Sequence, residues 1–182
     1  MSAKSTPTNY GTVAVTIHWL SALLILVLIG SGFRAANTIE PDVKAQILSF
    51  HIPIGLAIMI LTLARIAWWV FADRKPDPVA GMAKWQALGA RAVHLLFYVV
   101  IIGMAASGIG MLVLSGAGPI IFTEAAGTMP DFHDYPPRTP HGLGARFMVL
   151  LFLFHAGAAL YHQLIKKDEL LSRMWFQKTG ES

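Results

Sequence analysis

The sequence predicts an all-α membrane protein built as a single bundle of four membrane-spanning helices. Of its 182 residues, 55% are apolar, and the mean hydropathy of +0.58 is too high for a water-soluble domain of this length. Four apolar runs, approximately residues 13–33, 48–71, 88–115 and 141–165, are each long enough to cross about 30 Å of hydrocarbon as a helix. We therefore expect one transmembrane domain over residues 13–165, a loop at 116–140, and terminal tails at 1–12 and 166–182.

The basic residues outside these runs are distributed unevenly between the two sides of the membrane. One side would carry Lys4, Arg74, Lys75, Lys84, Lys166, Lys167, Arg173 and Lys178, and the other only Arg34, Lys44 and Arg138. The positive-inside rule then predicts an inner-membrane protein with both termini in the cytoplasm. Because these cations flank the membrane, the formal charge of +4 is a poor indication of nucleic-acid binding.

The first two runs each contain one histidine. The first follows a polar Ser/Thr-rich start and has full spanning length, so we interpret it as a retained helix rather than a cleaved signal peptide. It carries His18 near its cytoplasmic end. The second run begins on the opposite side of the membrane, with His51 near its start and Pro53 expected in the first turn of the helix. Gly55 leaves bare backbone beside His51, against which a flat ring could lie.

The third run carries Arg91 and His94 near its cytoplasmic end, and Gly103, Gly108 and Gly110 further along permit close approach of a helix or a ring. The long loop at 116–140 is expected outside the membrane. It contains His133, which we interpret as solvated, and the acidic residues Glu124, Asp131 and Asp134.

The fourth run is the most informative, because it carries three histidines, His141, His155 and His162. Fourteen residues of helix make almost four turns, so His141 and His155 share a face about 21 Å apart along the axis. By depth, the histidines form two layers. His51 and His141 lie near the periplasmic face, and the other four spanning histidines lie towards the cytoplasm.

An imidazole within hydrocarbon is costly unless something binds it. A single intramembrane histidine is as well explained by a helix-to-helix hydrogen bond, but several in two layers favour metal ligation. The chain has no cysteine and the four runs have no Asp or Glu, which counts against zinc and favours haem b with two axial imidazoles. Depth pairs His51 with His141, and pairs His155 with His18 or His94, of which His18 is favoured. The candidate partners for haem propionates are Arg65, Arg91 and Arg146.

The chain resembles the bacterial cytochrome b561 family over essentially its whole length. The resemblance is carried by the segments Thr16-Ile17-His18-Trp19-Leu20 and Phe50-His51-Ile52-Pro53-Ile54-Gly55, by His141, by the stretch from His155 to His162, and by the closing stretch from Lys167 to Met174. The resemblance implies a four-helix cytochrome with two b-type haems, one ligated from helices one and four and one from helices two and four. It thereby selects His18 over His94.

Members of that family include superoxide oxidase, so the resemblance implies electron flow from periplasmic superoxide through two haems to ubiquinone. Quinone reduction consumes protons, and we assign this role to His162 or Lys84 near the cytoplasmic boundary. Lys44, Arg138 and Arg146 are candidates for attracting superoxide, although the acidic loop opposes them. The alternative is a non-enzymatic anchor that relays electrons between a periplasmic redox protein and the quinone pool. A haem-free transporter is a third reading, disfavoured by the absence of intramembrane carboxylates.

Overall fold

Four long helices account for most of the chain. A computed structural model describes residues 2–79, 81–123, 125, 127–168 and 170–176, and every regular element in them is helical. The α-helices are α1 (Thr12–Asn37), α2 (Pro41–Ala67), α3 (Lys84–Ser115), α4 (Gly118–Phe122) and α5 (Arg138–Tyr161). Among them α1, α2, α3 and α5 are long and apolar enough to cross a membrane, which confirms the predicted fold class. Glu124, Glu169 and Lys178 lie outside the described residues.

The second spanning helix begins earlier than the apolar run suggests. Pro41 lies in its first turn, where a missing amide donor costs nothing, and Asp42 adds a favourable negative charge at the helix N-terminus. The expectation that Pro53 occupies the first turn is therefore wrong, since Pro53 lies inside α2. The polar stretch that hydropathy excluded from the span is still helical.

Two of the spanning helices end in a wider turn on the same side of the bundle. One π-helical turn, Trp68–Ala72, continues α2, and another, His162–Lys166, continues α5. Such turns are often found at functional sites. After the second one, Lys167 adopts a left-handed conformation with φ of 53°, and the chain reverses direction.

The centre of the bundle is a layer of aliphatic side chains. In it, α1 packs along α2 and α3 along α5, with α2 also against α3. Each spanning helix contributes one buried residue to the central cluster, namely Ile25, Ile58, Ile101 and Met148. Each of these lies seven residues after a histidine of the same helix, which is about 10 Å along the axis. The aliphatic layer therefore lies midway between the two histidine depths.

Three segments distant in sequence meet at one end of the bundle, and we call this end the termini side. The guanidinium group of Arg173 donates hydrogen bonds to the backbone carbonyls of Pro7, Thr8 and Asp77. The indole of Trp19 donates to the carbonyl of Met174 at 2.8 Å. The N-terminal residues, the α2–α3 connection and residues 170–176 thus form one cap over this end.

A carboxylate holds the N-terminal residues to the α2–α3 connection. The hydroxyl of Ser5 donates to Asp73 at 2.8 Å, and its amide donates to the same group at 3.0 Å. Burial alone would raise the pKa of Asp73, but the hydrogen bonds from Ser5, from the Arg74 amide and from the Trp68 indole together hold this pKa below its usual value. The cap therefore contains an ionised carboxylate at neutral pH.

Candidate functional site

The outer layer, which we define as His51 and His141, brings two imidazoles together away from the termini side. His51 comes from α2 and His141 from α5, and their ring centroids are 6.4 Å apart. The sequence-based pairing of these two residues corresponds to what the structure brings together.

A serine on α1 fixes which nitrogen of His51 carries the proton. The Ser31 hydroxyl lies 2.7 Å from the Val27 carbonyl, and an oxygen pair at this distance needs the hydroxyl hydrogen between them. The same hydroxyl oxygen lies 2.8 Å from Nδ1 of His51, so it accepts a hydrogen bond from the Nδ1–H group. This network assigns the tautomer in which the Nε2 lone pair of His51 is free to bind a metal.

The same arrangement holds His141. Its Nδ1 lies 3.1 Å from the Met104 carbonyl, which can only accept, so Nδ1 carries the proton. The Ser107 hydroxyl donates to that carbonyl at 3.0 Å and accepts from Nδ1 at 3.0 Å. Both outer histidines therefore have their second nitrogen anchored, as ligating histidines usually do.

Glycines let the two outer imidazoles lie against neighbouring helices. A Cβ atom at Gly32 would be 3.1 Å from Cε1 of His51, and one at Gly108 would be 3.4 Å from Cε1 of His141. The first distance is tighter than ordinary van der Waals contact, so any side chain at Gly32 would displace the ring. The sequence-based expectation of close approach thus applies to Gly108, where the approaching ring is an imidazole, and to Gly110, where a Cβ would be 3.2 Å from the Pro137 ring, but nothing lies within 4 Å of a Cβ at Gly103.

The inner layer, which we define as His18, His94 and His155, brings three imidazoles together on the termini side. The centroid of His155 is 6.0 Å from that of His18 and 5.3 Å from that of His94. Nδ1 of His94 donates to the Ala90 carbonyl at 2.6 Å, which leaves its Nε2 free. Among the described residues no hydrogen bond to a ring nitrogen of His18 or His155 is found.

Distances between rings test whether a metal ion fits between them. A metal ion between two imidazoles forms two bonds of about 2 Å, so the two ligating nitrogens lie about 4 Å apart. Each ring centroid lies about 1 Å behind its nitrogen, so the two centroids should be about 6 Å apart. The separations of 6.4 Å in the outer layer and 6.0 Å for His18–His155 are close to this requirement. The 5.3 Å between His94 and His155 is too short. The ring separations are therefore compatible with ligation by His51 with His141 and by His18 with His155.

The other ligands of such an ion do not come from protein side chains. In the part of the chain that the structure describes, no group of three or more His, Cys, Asp or Glu residues is arranged to hold a metal ion. Haem iron needs only two axial ligands from the protein, because the porphyrin supplies the other four. The donor set fits haem, and it does not fit a site like those of structural zinc.

One of the three candidate propionate partners has an unsatisfied donor. Nε of Arg65 is buried and has no hydrogen-bond partner, which is costly unless a bound group accepts from it. Arg65 also lies within electrostatic range of all three inner histidines. Arg91 is exposed on α3, and Arg146 donates to the Gly142 carbonyl at 3.2 Å. Arg65 is thus the arginine that best fits a carboxylate ligand.

His162 is paired with a carboxylate just beyond the π-helical turn. Its Nδ1 lies 2.5 Å from the Asp168 carboxylate, and their side chains are 13% and 24% exposed. Burial alone would raise the pKa of Asp168, but the hydrogen bonds from His162 and the Leu170 amide hold this pKa below its usual value. Lys84, the first residue of α3, is exposed, and no hydrogen bond between Lys84 and His162 is found in the described residues.

Sequence reasoning missed the two serines and Gly32. The sequence does contain one pattern that could have indicated the serines. In both α1 and α3 a serine follows a histidine by thirteen residues, as Ser31 follows His18 and Ser107 follows His94. Each of these helices thus gives a histidine to the inner layer and a hydroxyl to the outer layer. The solvated interpretation of His133 is compatible with its exposed position.

Comparison with known proteins shows a match to one family model and to several curated proteins. The model described as prokaryotic cytochrome b561 matches residues 9–177. Cytochrome b561 homolog 2 of Escherichia coli (strain K12) is 29% identical over 96% of this chain and 95% of its own length. Cytochrome b562 of Cereibacter sphaeroides is 30% identical over 91% and 94%, and the probable superoxide oxidase CybB of Yersinia pestis is 29% identical over 94% and 98%. No solved structure matches the chain.

Proposed function

This chain belongs to the prokaryotic cytochrome b561 family, and from that premise we propose that it oxidises superoxide and reduces a quinone by means of two haem b groups. Family membership implies b-type haem and electron transfer, and the four apolar helices indicate a multi-pass protein of the inner membrane. The substrates, the number of haems and the ligands belong to the proposal. Similarity to a protein named probable superoxide oxidase supports the choice of superoxide.

The observation that carries the proposal is the pair of histidine couples at two depths, with centroid separations of 6.0 and 6.4 Å. His18 with His155 would hold the inner haem iron, and His51 with His141 the outer one. Haem b, when bound, supplies one-electron redox chemistry. Arg65 is the first candidate for a propionate partner because its Nε is buried without one, and Arg91 and Arg146 are the others.

The reaction must balance electrons and protons. Two superoxide anions each lose one electron and leave as dioxygen, and one quinone gains two electrons and two protons to become a quinol. Nδ1 of His162 is held by Asp168, which leaves Nε2 as a base or acid directed away from that carboxylate. We assign proton delivery to His162, with Lys84 as the alternative donor near the same boundary.

Charge near the outer layer affects the approach of an anion. Arg138 and Arg146 lie on α5 within five residues of His141. Asp131 and Asp134 are exposed on the preceding loop and oppose them, while Glu124 lies outside the described residues. We therefore expect only a modest increase in encounter rate at low ionic strength. The orientation in the membrane follows from the excess of Lys and Arg on the termini side, which the positive-inside rule assigns to the cytoplasm.

The test is quinone reduction by the purified, haem-loaded chain in liposomes that contain ubiquinone. Superoxide generated outside the vesicles should produce quinol, and added superoxide dismutase should abolish the product. His51→Ala and His141→Ala should each remove the same haem, and His18→Ala and His155→Ala the other. His94→Ala is the matched control and should leave both haems, as seen in reduced-minus-oxidised absorption spectra.

Two results would contradict the proposal. Haems that stay oxidised under superoxide and become reduced only when a separate redox protein is added would make the chain an electron relay. A single haem whose spectrum is abolished by His94→Ala would refute the assigned ligands. The relay still requires both histidine couples, so the two outcomes test the substrate and the site separately.

A further inference from the structure

A groove runs along the lipid-facing side of α2 and α3, and no histidine lines it. Its volume is about 610 Å³, within the range of about 300–1,000 Å³ common for small-molecule sites. Most of its wall is aliphatic, and Val70, Leu95 and Val99 are 65%, 61% and 59% exposed. Trp69, Lys75, Tyr98 and Gly103 also line it. In a bilayer such a wall contacts acyl chains.

Polar groups gather at the termini-side end of this groove. The ammonium group of Lys75 lies 5.8 Å from the centroid of the Trp69 ring, which holds it at the groove. The indole N–H of Trp69 is buried and has no hydrogen-bond partner. Tyr98 adds a phenol on the opposite wall. The groove therefore has an apolar length and a donor-rich head.

The charge at this head is positive, and no carboxylate of the described residues forms an ion pair with it. Burial lowers the pKa of Lys75, and so do the nearby cations Arg65 and Arg91. Within the described ranges the ion pair found joins His162 and Asp168, so none involves Lys75, while Arg65 and Arg91 are already the candidates for haem propionates. The nearest carboxylate in sequence, Asp73, instead accepts hydrogen bonds from Ser5, the Arg74 amide and the Trp68 indole. An anion is the missing partner.

We infer that this groove binds one anionic phospholipid, with its phosphate at Lys75 and the Trp69 indole and an acyl chain along the aliphatic wall. Basic pockets between transmembrane helices recognise anionic head groups in this way. A quinone would fit the wall, but its carbonyls are neutral and would leave the positive charge of Lys75, the cation that lines the groove, unbalanced. A zwitterionic phosphatidylcholine carries its own compensating cation next to the phosphate.

Native mass spectrometry tests the inference on the full-length, haem-loaded protein. The protein is reconstituted in vesicles of equal parts phosphatidylglycerol and phosphatidylcholine, with ubiquinone present, and is then extracted in mild detergent. We expect one retained phosphatidylglycerol per chain, distinguished from phosphatidylcholine and from quinone by mass. Lys75→Gln should reduce its retention about fivefold, as expected for the loss of one cation near an anionic lipid.

A second variant tests the apolar part without changing charge. A Cβ at Gly103 meets nothing within 4 Å, so Gly103→Leu can be accommodated and fills the groove. It should lower retention while the haem spectrum stays that of the parent. Lys166→Gln removes an exposed lysine at the same end but outside the groove, and it should change nothing.

Three results would overturn the inference. They are equal retention of both phospholipids, retention of ubiquinone in place of phospholipid, and unchanged retention in Lys75→Gln and Gly103→Leu. Quinone reduction by superoxide is measured separately, so a failure here leaves the proposed function standing.

Discussion

With the proposed ligands, removing the Ser31 hydroxyl should weaken binding of the haem assigned to His51 and His141 and leave the haem assigned to His18 and His155 unchanged. In Ser31→Ala the Nδ1–H group of His51 loses the acceptor that lies 2.8 Å away. Substituting the partner of a metal-bound histidine usually lowers metal affinity about tenfold to hundredfold. This corresponds to about 1.4 to 2.7 kcal/mol of binding free energy. We expect a loss in this range for the haem assigned to His51 and His141, and none for the other haem of the proposal.

The structure also predicts a graded effect for the second serine. In Ser107→Ala, Nδ1 of His141 keeps the Met104 carbonyl as acceptor at 3.1 Å. The tautomer and the ring orientation are then still fixed, and the loss should be smaller than in Ser31→Ala. Ser31→Thr retains a hydroxyl and should restore most of the affinity.

The assay is transfer of haem to an excess of apo-globin, followed by absorbance for each variant. Ser49→Ala is the matched control, since Ser49 lies on α2 two residues before His51 and the hydrogen bond found for its hydroxyl among the described residues goes to the Gln46 carbonyl at 2.7 Å. Faster transfer of the haem that His51→Ala removes is the expected result. If Ser31→Ala releases instead the haem that depends on His18, or if it releases none faster, the tautomer reasoning is refuted.

Two further predictions concern a close contact and a titration. Gly32→Ala places a Cβ 3.1 Å from Cε1 of His51 and should lower the content of the haem assigned to His51. In the control Gly30→Ala the added Cβ meets nothing within 4 Å, and the haem content should not change. The measurement is pyridine haemochrome quantitation. Because the pKa of Asp73 is lowered in the folded protein, its contribution is complete above the unfolded pKa of about 3.9 and is lost as pH falls through the folded value. Acid should therefore expose the N-terminal residues to protease. Ser5→Ala removes one hydrogen bond that lowers the pKa of Asp73, so it should raise the midpoint pH of this exposure. An unchanged midpoint would contradict the assigned hydrogen bonds.

The fold and the depth of each histidine were accessible from the sequence for a simple physical reason. Hydropathy gives the spans, and residue count along a helix gives depth, because each residue rises 1.5 Å. His141 and His155 could be assigned to one face because they share a helix. Pro53 was misplaced because hydropathy marks where a helix is apolar rather than where it begins.

The rotation of each helix about its own axis could not be predicted from the sequence in the same way. It depends on packing between helices, which a single sequence does not encode as a visible period. Ser31 and Ser107 therefore appeared only in the structure, as did the contact between Gly32 and His51. His94 illustrates the same limit, since depth alone could not separate it from His18.

The aliphatic layer of Ile25, Ile58, Ile101 and Met148 also has an electrical consequence. It contains no ionisable group, and it separates two layers that are about 21 Å apart in a membrane whose apolar thickness is about 30 Å. A negative charge moving between those layers traverses about two-thirds of the transmembrane voltage, which corresponds to about 1.5 kcal/mol per 100 mV. With the proposed electron path, turnover in sealed vesicles should be electrogenic, and an applied diffusion potential should speed or slow it according to its sign.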